Sequence, residues 1–236
     1  MIVVRCKGGL GNQLFQYAAA RALAARHRVP LKIDARWYAA PENQVKVERT
    51  FDLAHLRVAA ENATARELRA FGLTAKSRLE RLWGRLRRSV TGRTFWAHHE
   101  MGYDFRFGKL GPCTALEGFF QHPEYFAPIA ALLPDEFRLK NEPPDAIRTL
   151  ARDLAAEPSI CVQVRRSDYV THADNAAVHG VCDKSYYEQA WREIQRRVPG
   201  ARAWVFTDDA AWAHESLRDL CPARIVQEEL GGPAFL

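Results

Sequence analysis

The chain has 236 residues, enough for one large domain or two modest ones, and its 47% hydrophobic and 26% charged residues exclude wholesale disorder. A formal net charge of +6 favours anionic partners without choosing among nucleic acid, a membrane surface and a nucleotide-activated small molecule. Cys6, Cys113, Cys161, Cys182 and Cys221 are odd in number, widely spaced and without a CxxC pair, which argues for reduced thiols rather than a disulfide framework or a zinc site.

In chain order, Ile2 to Cys6 reads as a short β-branched strand and Lys7 to Gly11 as a loop. From Asn12 the residues Leu14, Ala18, Ala22 and Ala25, widened by Phe15, Ala19 and Leu23, repeat at helical spacing. Leu31 to Asp34 is a second expected strand, introduced by Pro30, which a helix interior would not accept. The first apolar run is too short for a signal peptide and no later segment approaches a membrane span, so the expected location is the cytoplasm.

The middle carries expected helices at Thr64 to Phe71 and Arg78 to Val90 and an expected strand at Thr114 to Glu117. The second helix puts Leu79, Trp83, Leu86 and Val90 on one face with arginines elsewhere. Such a helix either lies on a membrane surface, here peripheral to the inner membrane, or covers the edge of a core. The segment LKNEPPD, from Leu139 to Asp145, has the composition of a linker and divides the chain into domains 1–142 and 143–236. Beyond it come a helix from Asp145 to Ala156, a strand from Ser159 to Val164, a helix from Asp183 to Val198 stopped by Pro199-Gly200, a strand from Ala203 to Phe206 and a strand from Arg224 to Gln227. Strands alternating with helices predict an α/β protein with parallel sheets, in which a second nucleotide-fold half begins after the linker.

Three constellations sit at expected strand ends, where open α/β sheets bind ligands. Gly8-Gly9-Leu10-Gly11-Asn12-Gln13 lies between strand and helix, where backbone N–H groups converge on an anion. Gly9 and Gly11 permit close approach, and the amides of Asn12 and Gln13 can donate to phosphate or sugar hydroxyls; a tight turn with no ligand is the competing reading. Asp34 ends the next strand where a ribose-binding acid of a dinucleotide enzyme would sit, which makes an NAD(P)-dependent oxidoreductase the alternative enzyme. Arg165 and Arg166, followed by Ser167, Asp168 and Tyr169, suit the geometry of a diphosphate, against the plainer reading of an ion pair with Asp168. Thr207, Asp208 and Asp209 form the third constellation; an N-cap, most simply Thr207 or Asp208, explains one of them without any ligand. Two adjacent carboxylates without a further ligand cluster make a poor metal site. No zinc, helix-turn-helix or interleaved aromatic and basic pattern points to nucleic acid.

Together the segments GGLGNQLFQYAAARALA (Gly8 to Ala24), GFFQHPEYF (Gly118 to Phe126), VQVRRSDYV (Val162 to Val170) and VFTDDAAWA (Val205 to Ala213) resemble the bacterial α-1,2-fucosyltransferases of glycosyltransferase family 11. The resemblance implies a GT-B-like pair of Rossmann-type domains, GDP-fucose as donor, a galactose-containing acceptor glycan, inversion at the fucose carbon and no metal. It implies donor contacts from Gly9, Gly11, Asn12, Gln13, Gln163, Arg165, Arg166, Tyr169, Thr207, Asp208 and Asp209, with Arg166 and Asp168 as catalytic candidates. Gln163 and Ser167 depart from the family's HxRRGDY pattern, and a glutamine cannot titrate near neutrality. Asp168 is the candidate base, or else it only orients the arginines. The resemblance further implies a continuation beyond Leu236, so the C-terminal domain is expected to be incomplete, with apolar surface exposed near Ile225, Val226, Phe235 and Leu236 and activity reduced or lost.

Overall fold

The structure, a computed structural model, describes residues 1–43, 49–74, 77–79, 82, 84, 90–98, 100, 102–166, 180, 182–218 and 223–226. The chain divides into two compact units, Met1–Asn141 and Glu142–Leu236. The division falls inside the polar, proline-bearing LKNEPPD segment.

The first unit is built on a parallel sheet of five strands in the order β3-β2-β1-β5-β4. These are β1 (Ile2–Arg5), β2 (Leu31–Asp34), β3 (Glu61–Asn62), β4 (Thr94–His98) and β5 (Thr114–Gly118). β1 is central because its side chains are apolar on both faces: Ile2 and Val4 enter the main core, while Val3 packs with Leu68, Phe71 and Ala115 on the other side. The register pairs Val4 with Ile33 and Leu116, so three apolar residues lie side by side across the middle of the sheet.

α1 (Leu10–His27) follows β1 and buries Tyr17, Ala18, Ala19, Ala20, Leu23 and Ala24. Its small alanines allow close approach to the sheet. It starts two residues earlier than the apolar stripe suggests, and it ends at Arg28, whose φ of 53° closes the last turn. Tyr17 is fully buried, yet its hydroxyl donates to Glu136 at 2.6 Å and accepts from the Ala59 N–H at 2.8 Å. α2 (Ala65–Ala70) begins at a reciprocal capping box in which Thr64 and Glu67 satisfy each other's backbone, a device that contributes about 1 kcal/mol. Most of the expected helix from Arg78 to Val90 lies outside the described residues; of its apolar side chains, Leu79, Leu82 and Val90 are exposed.

The second unit carries a parallel sheet of β6 (Ser159–Val164), β7 (Arg202–Thr207) and β8 (Ala223–Val226), with β7 in the middle. One face holds Leu150 of α3 (Asp145–Ala156) against Trp204 and Val226. On the other, Val164 and Val205 pack with Ala213 and Leu217 of α5 (Ala210–Leu217) and with Tyr187 of α4 (Lys184–Arg197). Asp183 caps α4 by accepting from the Tyr186 N–H at 3.0 Å. Of the apolar residues expected to be exposed near the end of the chain, Val226 is buried and Ile225 half-buried; Phe235 and Leu236 lie outside the described residues.

Candidate active site

In the first unit β1 and β5 are neighbours in the sheet, and the segments that follow these two strands meet at their carboxyl ends. The loop after β1 requires glycine at position 8, where φ is +81° and an added Cβ would stand 2.7 Å from Asn12 Nδ2. Gly9 is the residue before α1 and offers the helix no side-chain cap; Gly11 is exposed, with open space around its Cα. No acidic side chain occupies the first turn of α1, which leaves its positive end uncompensated from within. Asn12 is half-buried and its Oδ1 accepts from Gln121 Nε2 at 2.7 Å, which joins the two loops.

The loop after β5 is held by shape. A Cβ on Gly118 would lie 2.3 Å from the His98 carbonyl oxygen, so the two strand ends approach as closely as they do only because position 118 is glycine. Phe120 then takes φ = 53°, unusual for an aromatic residue, and it persists because the ring is buried and stacked on Trp96 at 5.7 Å. That turn presents Gln121 to Asn12 and leaves Phe119 partly exposed beneath the Lys7 ammonium, 5.0 Å away.

Gln13 is a correction. It was expected to face a ligand, but it is fully buried and all its polar capacity serves the fold. Its Nε2 donates to the carbonyls of Gly8 at 3.1 Å and Thr50 at 2.9 Å, and its Oε1 accepts from the N–H groups of Asp52 at 2.9 Å and Leu53 at 3.1 Å. Gln16, equally buried, pairs both backbone groups of Lys7. The Tyr38 hydroxyl donates to the Gly8 carbonyl at 2.9 Å. Buried amides are used here as internal struts, because a loop carrying carbonyls into a core needs donors there.

Asp34 is likewise committed. Its buried carboxylate is gripped by the Arg36 fork, with two contacts at 2.8 Å, and by Arg5 Nε at 3.3 Å. Burial alone would raise its pKa, but the two guanidiniums outweigh that and hold it below the ordinary carboxylate value. A ribose hydroxyl would have to displace Arg36, so the dinucleotide reading loses its anchor.

In the second unit the ends of β6 and β7 come together. Val164 pairs with Thr207, and Arg165 and Arg166 emerge beside Asp208 and Asp209. Asp208 Oδ1 accepts from the Arg166 N–H at 2.7 Å. Thr207 Oγ1 accepts from the Asp209 N–H at 2.9 Å. The cap of α5 is Asp209 rather than Thr207 or Asp208, since its Oδ1 accepts from the Trp212 N–H at 3.0 Å, and the chain needs two residues to turn before the helix starts. Its other oxygen, Oδ2, lies 3.4 Å from Arg166 Nε. The Arg166 guanidinium is stacked over the Trp212 ring at 4.2 Å, and Tyr187 meets the same ring at 5.9 Å.

Arg165 is exposed at the same strand end, whereas Gln163 lies apart, exposed on β6 along a groove of about 270 Å³ with Cys161, Tyr187 and Trp191. Asp168 and Tyr169 lie outside the described residues. Trp212, Tyr187, Tyr38 and Gln16 escaped sequence reading; the available signal for Trp212 was its place three residues after Asp209, on the first turn of a helix that follows a strand end.

Two parallel α/β units carry a glycine loop at one strand end and paired arginines at another, an arrangement whose charge and geometry suit an anion. Residues 98–229 match the family described as "Glycosyl transferase family 11", and the chain belongs to that family: it is a glycosyltransferase. The matched span runs from the end of β4 through Arg165, Arg166 and Asp209. Among curated relatives, the chain is 26% identical over 221 residues to an alpha-1,2-colitosyltransferase of Escherichia coli, covering 90% of this chain and 70% of that protein. It is also 26% identical over 226 residues to the O-antigen biosynthesis glycosyltransferase WbnK of the same organism, covering 89% and 73%. Among solved structures it is similar to a NodZ alpha-1,6-fucosyltransferase soaked with GDP-fucose, at a TM-score of 0.49 and 17% identity over 96% of this chain and 77% of that one. A further similar structure is FUT1 of Arabidopsis thaliana in complex with GDP, at 0.49 and 13%, covering 97% of this chain and 60% of that one.

Proposed function

We propose that the chain transfers L-fucose from GDP-fucose to the 2-hydroxyl of a galactoside, with inversion at the fucose anomeric carbon, during synthesis of a cell-surface glycan. The observation that carries the reading is the family match across the β6 and β7 ends, where the arginines lie. In the reaction the bond between the anomeric carbon and the β-phosphate oxygen breaks, and the acceptor oxygen bonds from the opposite face. The acceptor proton passes to a carboxylate, for which Asp168 is the candidate, and the diphosphate leaves with its added negative charge.

Arg165 and Arg166 are proposed to neutralise that charge, because fixed cations aimed at developing charge stabilise the transition state more than the ground state. Thr207, Asp208 and Asp209 frame Arg166, and Tyr169 and Gln163 are proposed to contact the nucleotide portion. Gly9, Gly11 and Asn12 are proposed to meet a polar group of a substrate at the N-terminus of α1. The two units are proposed to form a GT-B arrangement, residues 143–236 holding the donor. Both carboxylates of the β7 end are already engaged with Arg166 or its backbone, so EDTA should leave GDP binding and transfer unchanged. Among the described residues no helix is long and apolar enough to cross a membrane, and peripheral contact through Arg78 to Val90 remains a proposal.

A second reading, GDP-colitose as donor, is favoured by the name of the E. coli relative. Incubation with each donor and a panel of galactosides, with product NMR, separates the two. An α-linked fucosyl product supports the first reading, transfer from GDP-colitose alone supports the second, and GDP binding without transfer from either donor overturns both.

A further inference from the structure

We infer that Trp212 is a positioning residue for donor binding: its indole face, stacked on Arg166, holds the guanidinium flat and aimed so that its in-plane N–H groups meet the diphosphate. The inference rests on the donor-site reading of Arg166 and goes beyond it by naming what orients that arginine.

The geometry is specific. One carboxylate serves two partners: Asp209 Oδ1 accepts from the Trp212 backbone N–H at 3.0 Å and its Oδ2 faces Arg166 Nε at 3.4 Å. The helix cap therefore ties the backbone that carries Trp212 to the arginine, while packing against Val164, Val205 and Tyr187 sets the ring. The guanidinium carbon stands 4.2 Å from the ring centroid, and the arginine side chain is only 17% exposed. All five N–H donors of a guanidinium lie in its plane, so stacking on a ring face consumes none of them. Among the described residues, only Asp209 takes a bond from that side chain. A face-held arginine thus offers its fork to a bidentate anion with its rotamers already restricted.

The ring is itself braced. Trp212 packs in the cluster of Val164, Val205, Ala213 and Leu217, and Tyr187 touches it while donating its hydroxyl to the Gln163 carbonyl at 3.3 Å. Strand β6, which delivers Arg166, and helix α5, which delivers Trp212, are therefore linked on both sides of the contact. A leucine in place of the indole would still bury against Ala213 and Leu217 but would present no negative face.

The test is a double-mutant cycle read by calorimetry with GDP on the full chain. Trp212→Leu and Trp212→Met, two apolar replacements in case one does not fold, should each weaken GDP binding about three- to thirtyfold, the range of a partly desolvated cation–π contact. Trp212→Phe and Trp212→Tyr, which keep an aromatic face, should stay within about threefold of the parent. On the Arg166→Ala background the aliphatic replacements should cost nothing further, because the group they position is gone. An equal loss on both backgrounds means that Trp212 acts on fold alone, and parent-like binding by Trp212→Leu means that it does not act; either result overturns the inference while leaving Arg166 as a donor residue. Parent-like GDP binding by Arg166→Ala overturns the donor-site reading and this inference with it.

Discussion

The two strand ends that carry the sequence motifs use polar residues in opposite ways. After β1, Gln13, Gln16 and Tyr38 turn inward and stitch the loop's own carbonyls and N–H groups into a core that includes all of Ile2, Val4, Tyr17 and Leu23. After β6, Arg165 and Asp208 are exposed and Arg166 is half-buried in a unit whose buried clusters are small, and Arg166 meets Asp208, Asp209 and the ring of Trp212. The same strand–loop–helix grammar therefore builds rigidity in one place and charge presentation in the other. Identity of residue type does not separate the two; the depth of the sheet beneath does.

The comparison breaks most visibly at Gln13. Replacement by leucine keeps the volume but leaves the N–H groups of Asp52 and Leu53 and two carbonyls without their partner, at a cost of roughly 3–6 kcal/mol. Urea melts that match the parent would mean that the amide is dispensable. Gly118→Ala should follow at about 1–3 kcal/mol, because its Cβ meets a backbone oxygen that cannot rotate away. Denaturation midpoints should fall in that order.

A smaller effect sits at Asp34. Its pKa is held below the ordinary value, so it stabilises the fold above about pH 4, where the unfolded group is ionised, and that contribution is lost as pH falls through the depressed folded value. Asp34→Asn should lower the melting temperature at pH 7 and narrow its gap to the parent as the pH drops below about 4. A gap that widens in acid would mean that the carboxylate is not stabilised by Arg5 and Arg36.

Much of this architecture was legible before any coordinates. Leu31–Asp34, Asp145–Ala156 and Ser159–Val164 have the bounds expected from their patterns, because each is framed by proline, glycine or a change of period. β4 was missed: Thr94–His98 alternates poorly and gains its strand character from five-residue pairing with β5, a long-range contact that local pattern does not encode. β3 was missed because two exposed residues carry no hydrophobic signal at all. At the strand ends, residue type was legible, but sequence could not show which way an amide points. Gln13 and Asn12 are neighbours on one helix, and a rotation of one residue sends the first into the core and leaves the second half-buried against Gln121. The partnership of Trp212 with Arg166 spans 46 positions and two elements, beyond any periodicity.

Thermal melts of the parent, Gln13→Leu and Arg166→Ala, each with and without saturating GDP, test the division of labour most directly. Removing Arg166 should leave the ligand-free melting temperature near that of the parent and remove most of the stabilisation by GDP, corresponding to roughly 2–4 kcal/mol of binding. Removing the Gln13 amide should lower the ligand-free melt and keep the GDP-induced rise. The opposite pattern, with Arg166→Ala destabilised but still raised by GDP and Gln13→Leu stable but unresponsive, would place the ligand site at the end of β1 and contradict the assignment.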